Sequence, residues 1–233
     1  MPPAVGLVRL LVVSALALLA LPACGDLEQA AASGNTRNDL AADLATQLGG
    51  SASLTYSATY QLAGGATATI SQTQNPTRSA YAYPGGKVIV TAQATTRCEP
   101  AAKKLTCTMT GPLTPTSPAP PGVFAGADKS GMVLPETALT LLNEASLDAE
   151  KAVNQHDTTI AGHHATCLEI SGVDGAEASK FTVCVTSEGA LGSFTGTLNG
   201  TPVDVAMTHF TDKVEATAFD PPPTATLIDH RPK

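Results

Sequence analysis

Five cysteines carry the most reactive side chains of this 233-residue chain. Cys24 closes an apolar run near the N-terminus, and Cys98, Cys107, Cys167 and Cys184 form an even set behind it. Cys98 and Cys107 sit nearly symmetric about the charged, proline-bearing stretch Glu99–Lys104, and Cys167 and Cys184 about Gly172–Ser179. Strands folding back at those two turns bring each pair within bonding reach, so 98–107 and 167–184 are the expected disulfides. The connectivities 98–167 with 107–184, and 98–184 with 107–167, stay open on sequence. No two cysteines have the CxxC spacing of zinc ribbons or dithiol redox centres.

Other side chains offer less. There is no G-x-S-x-G or S-x-x-K arrangement to activate a serine. The Gly-Gly pairs at 49, 64 and 85 lack the lysine and following helix of a phosphate loop. His163-His164, with His156 nearby, is the best metal candidate. Adjacent histidines on a strand point to opposite faces, however, so no metal is expected. His209 shares a strand face with Val203, Val205 and Met207 and reads as a packed core histidine. Glu136, Glu144, Asp148 and Glu150 read as the solvated side of a helix rather than an acid–base pair. The chain is therefore expected not to be an enzyme.

The elements that position these residues begin with residues 1–23. Arg9 is followed by Leu10–Leu21, twelve residues without a charge. A bilayer core of ~30 Å needs about 20 residues at 1.5 Å each, so the run reads as the apolar core of a signal peptide. Leu21-Pro22-Ala23-Cys24 resembles the lipobox of bacterial lipoproteins. That resemblance implies cleavage before Cys24 and a diacylglyceryl group on its thiol, with further acylation giving durable anchoring. It also implies an extracytoplasmic, lipid-anchored location at the cell membrane, and no cofactor apart from that covalent lipid. Residues 24–37 are small and polar, a flexible tether.

Removal of the signal leaves a net charge near −8, against −7 for the whole chain. With no basic run, nucleic acid is excluded as a partner. Residues 38–223 are long enough for one sizeable core. Leu40, Leu44 and Leu48 repeat at helical spacing up to Gly49-Gly50. Leu54, Tyr56, Ala58, Tyr60 and Leu62 then alternate with polar residues, predicting a strand that turns at Gly64-Gly65 into Ala66–Gln72. Arg78–Tyr83, Lys87–Cys98 and Leu105–Gly111 read as further strands, and 112–131 as an exposed Pro-rich loop. Leu134-Pro135-Glu136 opens a helix expected to run to about Asn154. Thr158–Ile160, Ala165–Ser171, Lys180–Ser187, Ala190–Leu198, Thr201–Phe210 and Lys213–Phe219 read as strands. Asn199-Gly200 makes Ala190–Leu198 turn tightly into Thr201–Phe210. Residues 224–233 read as a polar tail. The order predicts an α+β fold, one large antiparallel sheet with a helical layer.

Several segments carry a wider resemblance: Tyr56-Ser57-Ala58-Thr59-Tyr60, the Cys98/Cys107 hairpin, Gly162-His163-His164-Ala165-Thr166-Cys167, Val183-Cys184, Gly189-Ala190-Leu191 and Phe219-Asp220-Pro221-Pro222. In these the chain is similar to actinobacterial LolA/LppX-like cell-envelope lipoproteins. The resemblance implies a strongly curved antiparallel sheet, an unclosed half-barrel, covered on its concave face by a few helices. It also implies an apolar cavity between sheet and helices that takes a lipid or other lipophilic ligand. Leu54, Tyr56 and Tyr60 on the first strand, with Leu139 and Leu142 on the helix, are the candidate lining residues. They equally suit a filled core, in which case the domain would be an envelope interaction or sensor module binding another protein.

Overall fold

The computed structural model describes residues 39–102, 104–113 and 122–231. The expected signal peptide, Cys24, the tether and the middle of the Pro-rich loop lie outside them.

Helix α1 covers residues 39–49 and runs into a 3₁₀ turn, Gly50–Ser53. Six strands follow: β1 Tyr56–Leu62, β2 Thr67–Gln74, β3 Thr77–Tyr83, β4 Gly86–Thr91, β5 Thr95–Ala101 and β6 Lys104–Thr110. After α2 (Ala125–Lys129) and α3 (Pro135–Leu147) come β7 Ala152–Ile160, β8 His163–Ser171, β9 Lys180–Thr186, β10 Leu191–Leu198, β11 Thr201–Thr211 and β12 Thr226–Asp229. All twelve strands form one open, curved sheet in the order β12-β6-β5-β4-β3-β2-β1-β11-β10-β9-β8-β7. Every pairing is antiparallel except β12 with β6. The expected unclosed sheet with a few helices is thus the observed architecture.

Period-two alternation decides which face carries the core. Tyr56, Ala58, Tyr60 and Leu62 of β1 are buried, as are Val203, Val205 and Met207 of β11 and Phe194 of β10. Onto this concave side α1 packs Ala41, Leu44, Ala45 and Leu48, and α3 packs Ala138, Leu141, Leu142 and Ala145. Gln47 Nε2 donates to Thr186 O (2.7 Å), fixing the end of α1 against the β9–β10 turn. A Cβ at Gly189, whose φ is +93°, would lie 2.8 Å from Gln47 O, so only glycine lets the helix come this close. Asn199 and Gly200 both have positive φ, and Leu198 pairs with Thr201, the two-residue hairpin their types predict.

The disulfides are local, Cys98–Cys107 and Cys167–Cys184, each between directly opposed residues. All four cysteines are buried on the convex side of the sheet, away from the helices.

Six expectations need correction. The expected strand Lys87–Cys98 is two strands. Thr91 accepts N–H bonds from Gln93 and Ala94 on Oγ1, closing a tight turn between β4 and β5 that no glycine or proline announces. The expected exposed loop 112–131 contains α2, with Ala127 fully buried. The helix expected to reach Asn154 ends at Leu147. There the Asp148 carboxylate accepts the backbone N–H groups of Glu150 and Asp174, and Val153 enters β7. Lys213–Phe219 is not a strand: Ala216–Phe219 forms a 3₁₀ turn that lays Phe219 on Ala80 and Ile89 of the convex face. The expected polar tail 224–233 supplies β12, because the segment crossing the convex face delivers Ala225 beside the free edge of β6. His209 is exposed rather than packed, since a bulge opposite Thr59/Tyr60 shifts the alternation by one residue.

Candidate functional site

Between the helices and strands β1–β4 the concave face is not filled. One lobe, about 390 Å³, lies between the α1 end, the Gly50–Ser53 turn and the start of α3. Its apolar floor comprises Tyr56, Ile70, Val90 and Leu139. A second lobe, about 630 Å³, lies on the other side of α3 toward α2, with Phe124, Leu134 and Leu141 in its wall. Ser79, Tyr81, Val90, Leu113 and Glu136 border both, so the lobes form one cleft that passes the N-terminal turn of α3.

Local sequence explains why space remains here. The helix that covers the β3–β4 end is only five residues long, whereas α1 and the thirteen-residue α3 lie over the other strands. At that opposite end Phe181 stacks on Phe194 (centroids 5.7 Å apart) within the core. The rim of the first lobe is held by side-chain amides. Gln72 Nε2 shares its hydrogens among Ser51 O, Ala52 O and Leu54 O, and Gln74 Nε2 donates to Ala52 O and Leu54 O. These five contacts, 2.8–3.0 Å long, tie the segment after α1 to β2.

Of the five residues expected to line a cavity, Tyr56 and Leu139 do so. Tyr56 is 1% exposed and stacks on Phe210 at 5.6 Å. Tyr60 instead belongs to the filled core, donating its hydroxyl to Leu191 O (2.9 Å). Leu142 is wholly buried in the same core, and Leu54 packs partly buried against it. The cleft's polar centre was not anticipated. Tyr81, buried on β3, donates its hydroxyl to Glu136 Oε1 (3.3 Å), and Phe124 meets the Tyr81 ring edge-on at 5.2 Å. Burial first, then the Glu136 charge, push the Tyr81 and Tyr56 phenols well above their ordinary range. The expected strands Arg78–Tyr83 and Lys87–Cys98 already contained Tyr81 and Val90; only packing against α3 made them part of a site.

Electrostatically the second lobe is one-signed. Asp128, Glu136, Glu144 and Glu177 border it, and no Lys, Arg or His does. Burial, reinforced by the neighbouring Glu177 charge, raises the Asp128 carboxyl above its ordinary value. Arg78 borders the first lobe, but its guanidinium carbon sits 4.2 Å from the Phe219 ring centroid. Neither lobe is bordered by Cys, His or Lys. This arrangement can bind an apolar group and orient a polar one. Among the described residues no three His, Cys, Asp or Glu side chains converge as metal ligands, and no helix is long and apolar enough to cross a membrane.

No family model and no curated protein matches the chain. Solved structures give distant likenesses. MucB crystallised with MucA(peri) is 11% identical, with a TM-score of 0.48 over 81% of this chain. An uncharacterized conserved protein from Thermus thermophilus is 12% identical, with a TM-score of 0.40, covering 82% of this chain and 99% of its own. The chain spans 62% of the length of that MucB chain. At these identities and TM-scores the likenesses assign neither a family nor an activity.

Proposed function

We propose that this protein is a non-enzymatic, lipid-anchored extracytoplasmic protein that holds a lipophilic ligand in the cleft between β1–β4 and α3. The observation that carries this reading is the two-lobed cleft, whose apolar lining of Tyr56, Ile70, Val90 and Leu139 lies between the sheet and α3. Its size lies in the range of about 300–1,000 Å³ of small-molecule sites. The lipobox-like Leu21–Cys24 supports export and acylation of Cys24, with the membrane as the first partner. Residues 25–37 then serve as the tether.

Every described strand and helix lies within 39–231, so a chain starting at Gly25 keeps the whole fold without the acyl anchor. Such a chain, purified without detergent, is expected to carry lipid by native mass spectrometry and solvent extraction. It is also expected to bind an uncharged fluorescent apolar probe, and Leu139→Glu in the cleft floor should abolish binding while Asp39→Asn leaves it. An empty protein that ignores the probe would instead make the domain an envelope interaction module with a closed cleft. In cells, Cys24→Ser is expected to move the protein from the membrane to the soluble extracytoplasmic fraction.

A further inference from the structure

Strand register lays one row of side chains straight across the concave face. Tyr56 of β1 pairs with Gln72 of β2, Gln72 with Ser79 of β3, and Ser79 with Val90 of β4. Val90 pairs in turn with Thr95 of β5, and Thr95 with Thr110 of β6. Directly opposed residues of adjacent antiparallel strands share a face, with Cβ atoms about 5 Å apart. The members from Tyr56 to Val90 border the first lobe, and Ser79 and Val90 border both. Thr95 is the next member, beside Val90 where the lobes meet. It is 2% exposed, and its hydroxyl has no hydrogen-bond partner. Thr110 donates to the backbone carbonyl of Thr95 (3.3 Å), not to this hydroxyl. Among the described residues Tyr83 is the other buried hydroxyl left unpaired. That one is packed under α2, where a Cβ on Gly126 would lie 2.6 Å from it, whereas Thr95 continues the cleft floor.

We propose that Thr95 is the polar anchor of the cleft and that its ligand is a neutral amphiphile: a long-chain alcohol or ester whose oxygen pairs with the Thr95 hydroxyl while the chain lies along Val90, Ile70 and Leu139. This rests on the reading of the cleft as a lipophilic-ligand site and adds the chemistry of the ligand's polar end. A buried hydroxyl without a partner is unfavourable, and a ligand oxygen that pairs with it recovers the loss on binding. The threonine hydroxyl both donates and accepts, so alcohol and ester oxygens suit it alike. It carries no charge, and its neighbours Val90 and Thr110 carry none. A carboxylate would therefore be buried beside it without a counter-charge, which acts against binding.

The test uses the chain from Gly25 with diphenylhexatriene, a fluorescent hydrocarbon without a hydrogen-bonding atom, as reporter. Decanol, methyl decanoate and decanoate compete with it at neutral pH. Thr95→Val keeps the side-chain shape and removes the hydroxyl. It is expected to leave reporter affinity unchanged and to raise the decanol and ester concentrations needed for displacement by roughly five- to tenfold. The urea midpoint of the empty variant should rise, because an unpaired polar group has gone. Thr95→Ser retains the hydroxyl and should keep both competitors within about twofold of the parent. Thr96→Val, on the convex face opposite Ile89, should change neither. Unaltered displacement by decanol in Thr95→Val overturns the anchor while the lipophilic site stands. A loss shared by the reporter or by Thr95→Ser makes Thr95 a packing residue and overturns it equally. Decanoate acting at lower concentration than decanol overturns the neutral polar end. A parent chain that does not bind the reporter removes the site itself and the anchor with it.

Discussion

Tyrosine hydroxyls on β1 and β3 share one sequence signature and do different work. Tyr56 and Tyr60 both fall on the inward face by alternation, and both are 1% exposed. Only their partners tell them apart: Tyr60 reaches Leu191 O inside the filled core, while Tyr56 borders the cleft. Tyr60→Phe should therefore leave a buried carbonyl unsatisfied and cost about 1–2 kcal/mol, measured by urea unfolding, with probe affinity unchanged. A titrating pair offers a second residue-level check. Burial works against the Glu188 charge, but hydrogen bonds, led by His163 Nδ1 at 2.7 Å from Oε1, hold its carboxyl below the ordinary value of 4.5. A lowered carboxyl pKa contributes stability above the ordinary pKa and loses it as pH falls through the folded one. Thermal unfolding of Glu188→Gln should thus show a shallower fall below about pH 4.5 than the parent chain. Sequence placed His163 at the start of a strand; it did not show Glu188, 25 residues on, as its partner.

Elements were legible where periodicity and turn chemistry agreed, and obscure where side chains replaced them. The β1–β2 hairpin has its Gly64-Gly65 turn and β10–β11 its Asn199-Gly200 turn, each with positive φ values that those residues accept. The β4–β5 turn relies on the Thr91 hydroxyl and the α3 stop on the Asp148 carboxylate, so both read as continuous elements. Strand β12 could not be read because all four of its residues are exposed and it pairs in parallel. Its contribution is to cover the backbone of β6 rather than to bury side chains. Truncation after Pro223 is therefore expected to change the melting temperature little. Amide hydrogen exchange at Thr106–Thr108 should nonetheless speed up, because the edge is reopened. The disulfides act at the same scale. Their loops, with sequence separations of 9 and 17, are worth roughly 3 kcal/mol each in the chain-entropy model. Reducing both should consume much of a total stability of about 5–15 kcal/mol and lower the unfolding midpoint without opening the cleft.

At the scale of the whole molecule, an open sheet buries one face under the three α-helices of the described residues, which differ in length, and function follows from where cover is short. Phe181, Phe194, Leu168 and Ile170 pack into the core at the β7–β10 end, while the two lobes open beside α2 and α3 at the β3–β4 end. Strand alternation could not distinguish an open cavity from a filled core, since that depends on the length and placement of helices distant in the chain. Val90 borders both lobes and is half-buried. In a filled core, Val90→Phe would force neighbouring side chains aside at a cost of about 1–3 kcal/mol. In an open cleft the added ring enters existing space, gains apolar burial and obstructs the ligand. The expected outcome is therefore unchanged or raised stability by urea unfolding, together with loss of the uncharged probe. A destabilised variant that still binds would place the free volume elsewhere. The two measurements made on one protein separate packing from binding, which neither the strand pattern nor the architecture does alone.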